Sequence, residues 1–418
     1  MKFKKENEVK RGITVEKANG FVLNTVYAAM RLYLFACGMK LRTVNRVGKL
    51  PKGPAVVLCN HGSFIDFIYA AAILRKYRPH FVVARLYFYH NALNWVLRKL
   101  GCFPKSMFAL DLESTKNSLR VLKNGEILGM MPEARLSTAG RFEDIQEGTY
   151  SFLKKSRVPV YTIKFQGDYF ADPKWGRGMR RGAVVEAELD LLFTEEQIAA
   201  LSVDEIRAGV EQRLYYDEFR WLESRPNFRY RSKNLAEGLE NILTQCPVCG
   251  EKHTIVTKGR EISCKNCGKL TTLDDRYGFE KEFRFENLAQ WYDWQKNVMR
   301  QQILGDEDFS LQSRVELRLP GDGWSLTRSA GSGVCVLDRN GLRYTGTKDG
   351  EEVDVSFPLK QVYRLLFGAG QNFEVYVGTQ IWYFVPQVKQ SCVDWYTASM
   401  ILYDETQGKK NTGGISVQ

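Results

Sequence analysis

Ala55-Val-Val-Leu-Cys-Asn-His-Gly-Ser-Phe-Ile-Asp66, continued by Phe67-Ile-Tyr-Ala-Ala-Ala-Ile-Leu74, is the stretch whose reading decides the fold. The apolar run Ala55 to Cys59 has the length and bounding polar residues of a buried strand. The run from Phe67 to Leu74 reads as a helix, with Ser63 as its N-cap candidate and Asp66 in its first turn. His61 then falls in the connecting loop, where Gly62 permits a tight turn. On one continuous helix, positions five apart point about 140° away from each other, so His61 and Asp66 meet only if the histidine lies off the helix. Imidazole is suited to removing a hydroxyl proton near neutral pH, and a carboxylate behind it fixes the tautomer and stabilises the imidazolium. The pair thus has the composition of a dyad that activates an alcohol. The same residues also read as a capping box, Ser63-x-x-Asp66, in which the carboxylate only satisfies backbone N–H groups.

Three later segments follow Asn60-His61-x4-Asp66 in order: Gly101-Cys-Phe-Pro104, Met131-Pro-Glu-Ala-Arg135 and Val158-Pro-Val160. Together they resemble the four ordered blocks of the glycerolipid acyltransferases, the family that includes the lysophosphatidate acyltransferases, over roughly residues 20 to 235. The resemblance implies an α/β acyltransferase core, a mixed sheet flanked by helices, over residues 46–240. It implies His61 as general base and Asp66 as its orienter, with Asn60, Ser63, Lys105, Glu133 and Arg135 as substrate-binding residues. The implied reaction carries a fatty acyl group from acyl-CoA or acyl-carrier protein, as co-substrate, to the hydroxyl of a lysophospholipid acceptor of the lysophosphatidate type. No redox or nucleotide cofactor is implied.

Two departures from the family pattern concern the acceptor. The third block commonly reads Phe-Pro-Glu-Gly-Thr-Arg-Ser, whereas this chain has Met131-Pro-Glu-Ala-Arg-Leu-Ser137, with the arginine one place forward and Ala134 where a glycine would adopt positive φ more easily. The arginine that usually holds the acceptor phosphate in the second block falls at Met107, with Lys105 two residues earlier. An ammonium attracts phosphate but lacks the bidentate fork of a guanidinium. Glu133 and Arg135 also read as an internal salt bridge, and Lys105 as a solvated lysine. His80 and His90 have no comparable context.

The chain has 418 residues, enough for two or three domains, and its 60 lysines and arginines against 48 acidic residues give a formal net charge of +12. Such a surplus suits anionic lipid headgroups, phosphate-bearing substrates or nucleic acid. Residues 1–45 read as a basic segment, with Lys2, Lys4, Lys5, Lys10 and Arg11, followed by a membrane-associated helix over Phe21 to Cys37. Asn24 and Arg31 interrupt this helix, which is marginal against the roughly 20 apolar residues a span needs. A helix lying on an anionic membrane surface fits better; a helix docked on the domain's own core is the alternative. Arg31 also breaks the apolar run that a signal peptide requires. The expected location is the cytoplasmic face of a membrane, peripheral or monotopic.

Cys246-Pro-Val-Cys249-Gly250 and Cys264-Lys-Asn-Cys267-Gly268 form C-x2-C-x14-C-x2-C, the spacing of a structural zinc site. Residues 241–275 therefore read as a zinc ribbon, its four thiolates closing the site and His253 unnecessary as a ligand. The other five cysteines are scattered, a usage that suits a reducing compartment. Thr194-Glu-Glu-Gln and Ser202-Val-Asp-Glu205 read as helix starts, and residues 220–233, rich in arginine and aromatics, as an interfacial or packing segment rather than a nucleic-acid contact. Residues 276–310 read as a helical linker and 311–406 as a β-rich, pleckstrin-homology-like domain, with turns at Asn340-Gly341 and Asp349-Gly350. Residues 407–418 read as a disordered tail. The competing function is a noncatalytic membrane adaptor that uses the ribbon and the β-rich domain to bind partners; nucleic acid is not the favoured partner.

Overall fold

Short apolar runs punctuated by polar turns become a mixed seven-stranded sheet in the computed structural model, which describes residues 14–407 except 51, 108–110, 179, 322 and 378–379. The strands are β1 (Lys40–Asn45), β2 (Ala55–Cys59), β3 (His80–Ala84), β4 (Phe103–Lys105), β5 (Ile127–Met130), β6 (Val160–Gln166) and β7 (Val184–Phe193). Their order is β1-β7-β6-β2-β5-β3-β4. Strands β6, β2, β5, β3 and β4 run parallel, whereas β7 is antiparallel to β6 and carries β1 parallel to itself. All five residues of β2 are buried, as a central parallel strand covered on both faces requires.

Crossovers between parallel strands need helices, here α2 (Asp66–Leu74), α3 (Asn91–Lys99), α4 (Leu112–Lys123) and α5 (Glu147–Ser156); α1 (Gly20–Ala36) precedes the sheet, α6 (Asp168–Ala171) lies between β6 and β7, and α7 (Glu195–Ala200), α8 (Val203–Leu214) and α9 (Glu218–Glu223) follow it. Val56, Leu58 and Leu128 from the sheet pack with Val121 of α4, Leu153 of α5 and Val210 of α8 in one buried cluster. Thr194 and Ser202 each make a complete capping box, with Gln197 and Glu205, at the starts of α7 and α8. The parallel arrangement puts the C-terminal ends of β2, β5, β3 and β4 on one rim, where loops of open α/β sheets hold ligands.

Helix α1 buries none of its residues. Arg75 holds one side of it, bonding Asn24 Oδ1 at 2.9 Å and lying 4.4 Å over the Tyr27 ring. Phe21, Leu32 and Phe35 are 81%, 68% and 81% exposed, and their spacing sets them on one stripe of the helix. Among the described residues no helix is long and apolar enough to cross a membrane. The basic residues expected ahead of α1, and the tail after Gln407, lie outside the described residues.

The chain divides into two compact units, one running to Lys233 and including Gly321–Leu326, the other formed by Asn234–Pro320 and the residues from Thr327 onward. The second unit holds β8 (Ile255–Lys258), β9 (Glu261–Cys264) and β10 (Gly268–Thr272) as a small antiparallel sheet, then α10 (Leu288–Gly305). A seven-stranded antiparallel sheet follows: β11 (Leu311–Pro320), β12 (Thr327–Asp338), β13 (Gly341–Lys348), β14 (Glu351–Pro358), β15 (Leu366–Gly368), β16 (Asn372–Val377) and β17 (Gln380–Pro386), with a short α11 (Leu359–Val362) and a final α12 (Cys392–Thr406). Asp349-Gly350 forms the expected two-residue turn, both residues at positive φ. The other turn is displaced by one residue: Arg339 and Asn340 form the loop, and Gly341 already pairs with Asp338.

The segments expected as ribbon, linker and β-rich domain are one unit because buried polar bonds tie them together. Trp291 Nε1 of α10 donates to Gln245 O at 3.0 Å, Thr244 Oγ1 donates to Asp394 Oδ1 of α12 at 2.8 Å, and Trp395 stacks on Phe373 at 4.5 Å. A linker helix would instead be solvated all round.

Candidate active site

Where β2 ends, Asn60 finishes the strand with its side chain. Its amide nitrogen donates to Phe165 O at 2.9 Å, and its oxygen accepts from Phe165 N at 2.6 Å, so the carboxamide acts as one more rung of the β2–β6 ladder. Asn60, expected among the substrate contacts, is fully buried, and its amide bonds that backbone.

His61 follows in the loop, and its Nδ1 lies 3.1 Å from Asp66 Oδ2. Asp66 is the first residue of α2, as the geometry of the pair demands. The same Oδ2 accepts from Ser63 N at 3.0 Å, so the dyad and half of the capping box coexist on one oxygen. Ser63 is not the cap residue, however. Ile65 precedes the helix without a side-chain cap bond, and Ser63 Oγ accepts from Ile65 N at 3.2 Å inside a three-residue turn. Ser63, expected among the substrate contacts, is completely buried and bonds within the loop. Gly62 is required for close approach, not for φ: a Cβ there would lie 2.4 Å from Asp168 Oδ2.

The third block clamps the histidine's backbone from both sides. Glu133 Oε1 accepts from His61 N at 2.9 Å, and Ser137 N donates to His61 O at 2.9 Å. Glu133 Oε2 accepts from Glu143 N at 2.8 Å. Glu133 is fully buried; burial pushes its carboxyl up to about 8, against the pull of the Glu143 and His61 N–H groups. Arg135 is also buried and meets Glu143 Oε2 through Nε at 3.2 Å and Nη2 at 3.0 Å. Both residues, expected at the acceptor, make these bonds within the protein, as a buried guanidinium needs a buried counter-charge. Ala134 does adopt φ 57°, a conformation that strains a side-chain-bearing residue. Ala134→Gly is expected to leave stability unchanged or raise it by up to about 1 kcal/mol, measured by denaturant unfolding; a loss of more than that would overturn the assignment of strain.

Lys105 ends β4 on the same rim. Burial lowers its ammonium's pKa, opposed by Asp111. A guanidinium the sequence reading missed, Arg85, lies just after β3, bonded to Ser106 Oγ and Asp111 Oδ2 at 3.0 Å each. His80 is buried between Gly101 O, 2.9 Å from Nδ1, and Glu126, 3.2 Å from Nε2, a packing role that suits its lack of sequence context.

Behind the dyad stand two further carboxyls that the sequence reading missed. Asp168 lies close enough to both Asp66 and Glu218 to shift their pKa values; all three residues are fully buried. As three carboxylates they would leave Asp66 Oδ1, both Asp168 oxygens and Glu218 Oε1 without donors. The contacts become hydrogen bonds only when carboxyls carry protons. Burial raises all three pKa values, and the like charges raise Asp66 and Glu218 further. Gly167 N donates to Glu218 Oε2 at 2.6 Å. Burial and Lys174 lower His61 to about 4, so its ring is neutral near pH 7. The Nδ1 hydrogen then points to Asp66, and the Nε2 lone pair is free for a hydroxyl.

In the second unit, Cys246, Cys249, Cys264 and Cys267 bring their four sulfurs within 4.8 Å of one another. Sulfur separations of 3.9 Å for Cys246–Cys267 and 3.8 Å for Cys249–Cys264 match the edge of a tetrahedron with metal–sulfur bonds of about 2.3 Å. Val248 N and Asn266 N each point at a sulfur, Cys246 and Cys264, at 3.4 Å. His253 turns away, its Nε2 2.7 Å from Asp394 Oδ2. The donor set fits a closed structural zinc site. Purified protein is expected to carry about one zinc per chain by elemental analysis, and a folded metal-free protein would refute the site.

Residues 41–166 match the acyltransferase family. A 1-acyl-sn-glycerol-3-phosphate acyltransferase of Bacillus subtilis is 22% identical over 153 residues, covering 35% of this chain and 75% of that one. The chloroplastic 1-acyl-sn-glycerol-3-phosphate acyltransferase BAT2 of Brassica napus is 24% identical over 116 residues, 27% of this chain and 33% of that one. The crystal structure of the 1-acyl-sn-glycerophosphate acyltransferase PlsC of Thermotoga maritima aligns with 50% of this chain and 82% of its own, at 19% identity and a TM-score of 0.40.

Proposed function

We propose that the chain, whose residues 41–166 match the acyltransferase family and which is similar to 1-acyl-sn-glycerol-3-phosphate acyltransferases, transfers a fatty acyl group from a thioester carrier, acyl-CoA or acyl-carrier protein, to the hydroxyl of a lysophospholipid of the lysophosphatidate type. The observation that carries this reading is the His61–Asp66 pair, 3.1 Å apart, at the end of a central parallel strand. His61 Nε2 takes the acceptor's hydroxyl proton as the oxygen attacks the thioester carbonyl. Asp66 Oδ2 holds the resulting imidazolium through Nδ1–H. Collapse of the tetrahedral adduct breaks the carbon–sulfur bond, and the thiolate recovers the proton from His61.

Lys105 remains the acceptor-phosphate contact in this proposal, since Arg85 and Arg135 are bound within the protein. Zinc would hold the ribbon against α10 and α12 and supply no chemistry to the dyad. Helix α1 would lie on the cytoplasmic face of a membrane, the location that cytosolic thioester donors require. The pleckstrin-homology-like reading of the second sheet is supported by antiparallel strands closed by the C-terminal helix α12.

The test is acyl transfer from labelled acyl-CoA and acyl-carrier protein to a panel of lysolipids. Transfer dependent on His61 is the expected result. No transfer with either donor, alongside tight vesicle binding, would favour the noncatalytic adaptor instead.

A further inference from the structure

A cavity of about 520 Å³ in the first unit is lined by five cations from three separate segments: Lys40 and Arg42 of β1, Arg181 ahead of β7, and Arg229 and Arg231 after α9. No acidic residue lines it among the described residues. Arg42 lies 3.9 Å from Glu186, whose carboxylate is held more closely by Arg225 at 2.7 Å. Lys40, Arg181 and Arg231 make no ion pair among the described residues. Five like charges around one concavity destabilise it by repulsion unless an anion enters.

Position narrows the kind of anion. Lys40 pairs with Val184 at the start of β7, Glu186 pairs with Gln166 at the end of β6, and Cys59, just before the dyad, pairs with Ile163 of the same strand. The cavity therefore lies at the same end of the sheet as His61. It flanks the dyad on the side of β7 and β1, opposite to β5 and β4, which lead into Glu133 and Lys105. An acceptor's phosphate, sharing one glycerol unit with the reacting hydroxyl, is served from that other flank.

Gly38, at the end of α1, lines the cavity, and Gly182 N donates to Cys37 O at 2.9 Å, tying the cavity wall to the helix. The exposed stripe of Phe21, Leu32 and Phe35 thus runs toward the cations. An interfacial helix sinks its apolar face about 5–10 Å into the boundary between headgroups and acyl chains, which sets a cavity beside its end at headgroup depth.

We infer that this cavity binds the phosphate of an anionic bilayer lipid, distinct from the acyl acceptor, and seats the domain with its dyad toward the membrane. The inference rests on reading the chain as a lipid acyltransferase at a membrane surface. Its test reads binding rather than turnover, so the two can fail separately.

The full chain is floated with phosphatidylcholine vesicles, with and without phosphatidylglycerol. Wild type and His61→Ala are expected to bind the anionic vesicles far more strongly than the neutral ones. The variant K40E/R181E/R231E should lose about 100-fold or more of the anionic binding, from roughly fivefold per cation, while keeping the residual binding to neutral vesicles. The milder R181Q/R231Q, checked for a wild-type melting temperature, should lose about 25-fold by the same reckoning. Undiminished binding of either folded variant to anionic vesicles would overturn the inference. So would displacement of wild type by CoA or inorganic phosphate at an ionic strength where sodium chloride has no effect, because the cavity would then serve a soluble phosphate.

Discussion

Replacing His61 with alanine is expected to lower acyl transfer by about 10²- to 10⁴-fold while leaving the melting temperature near that of wild type. The fold is insulated from the change because Glu133 and Ser137 bond the peptide of residue 61, not its ring, and the ring itself is 21% exposed. With the imidazole lowered to about 4 by burial and Lys174, kcat/KM should stay level from neutral pH down to about 5 and fall only below that. A midpoint near the ordinary histidine value, about 6.5, would contradict the buried setting. Retention of more than a tenth of the activity by His61→Ala would remove the histidine from the chemistry.

Stability is expected to fall as pH rises from 5 to 9, through the buried carboxyls. Glu133 has an ordinary value of 4.5 unfolded and about 8 folded, so the folded state keeps a proton that the unfolded state has released. This contribution is fully present below about 4.5 and is lost as pH passes about 8, and for a buried group shifted this far it is on the order of 5 kcal/mol. Asp66, Asp168 and Glu218 shift in the same direction and add to the slope. The groups facing them are His61, Glu133, Asp217, Tyr69 and Tyr216. Asp168→Asn should flatten the slope, since it removes one buried titrating carboxyl and an amide can donate to Asp66 whether or not Asp66 carries a proton. Urea unfolding at intervals of pH measures both; a stability that is level or rising toward pH 9 would show that the trio does not hold its protons.

His61 and Asp66 were legible because the chemistry is carried by residue type and the strand before them announces itself by composition. The alternation of β11 to β14 and the paired cysteines were legible for the same reason. Asp168 and Glu218 were not, since their role depends on burial against a loop far away in sequence. The usable signal was Asp168 directly after Gly167, at the end of the apolar-rich run that follows Val158-Pro-Val160. The charges of Arg135 and Glu133 were legible too, but not the partners that Glu143 and the His61 backbone N–H provide. Ser63 looked like a cap because its spacing to Asp66 is that of a capping box; the turn through Ile65 delays the helix by two residues.

The clamp on residue 61 has a consequence for transplanting this chemistry. Asn60 fixes the peptide before the histidine to β6, Glu133 and Ser137 fix its own N–H and C=O, and Asp66 fixes its ring. The short loop copied onto another scaffold would carry the reactive ring without its moorings. The portable unit is a discontinuous one, and a graft that omits residues 133–137 should bind what it binds and turn over nothing.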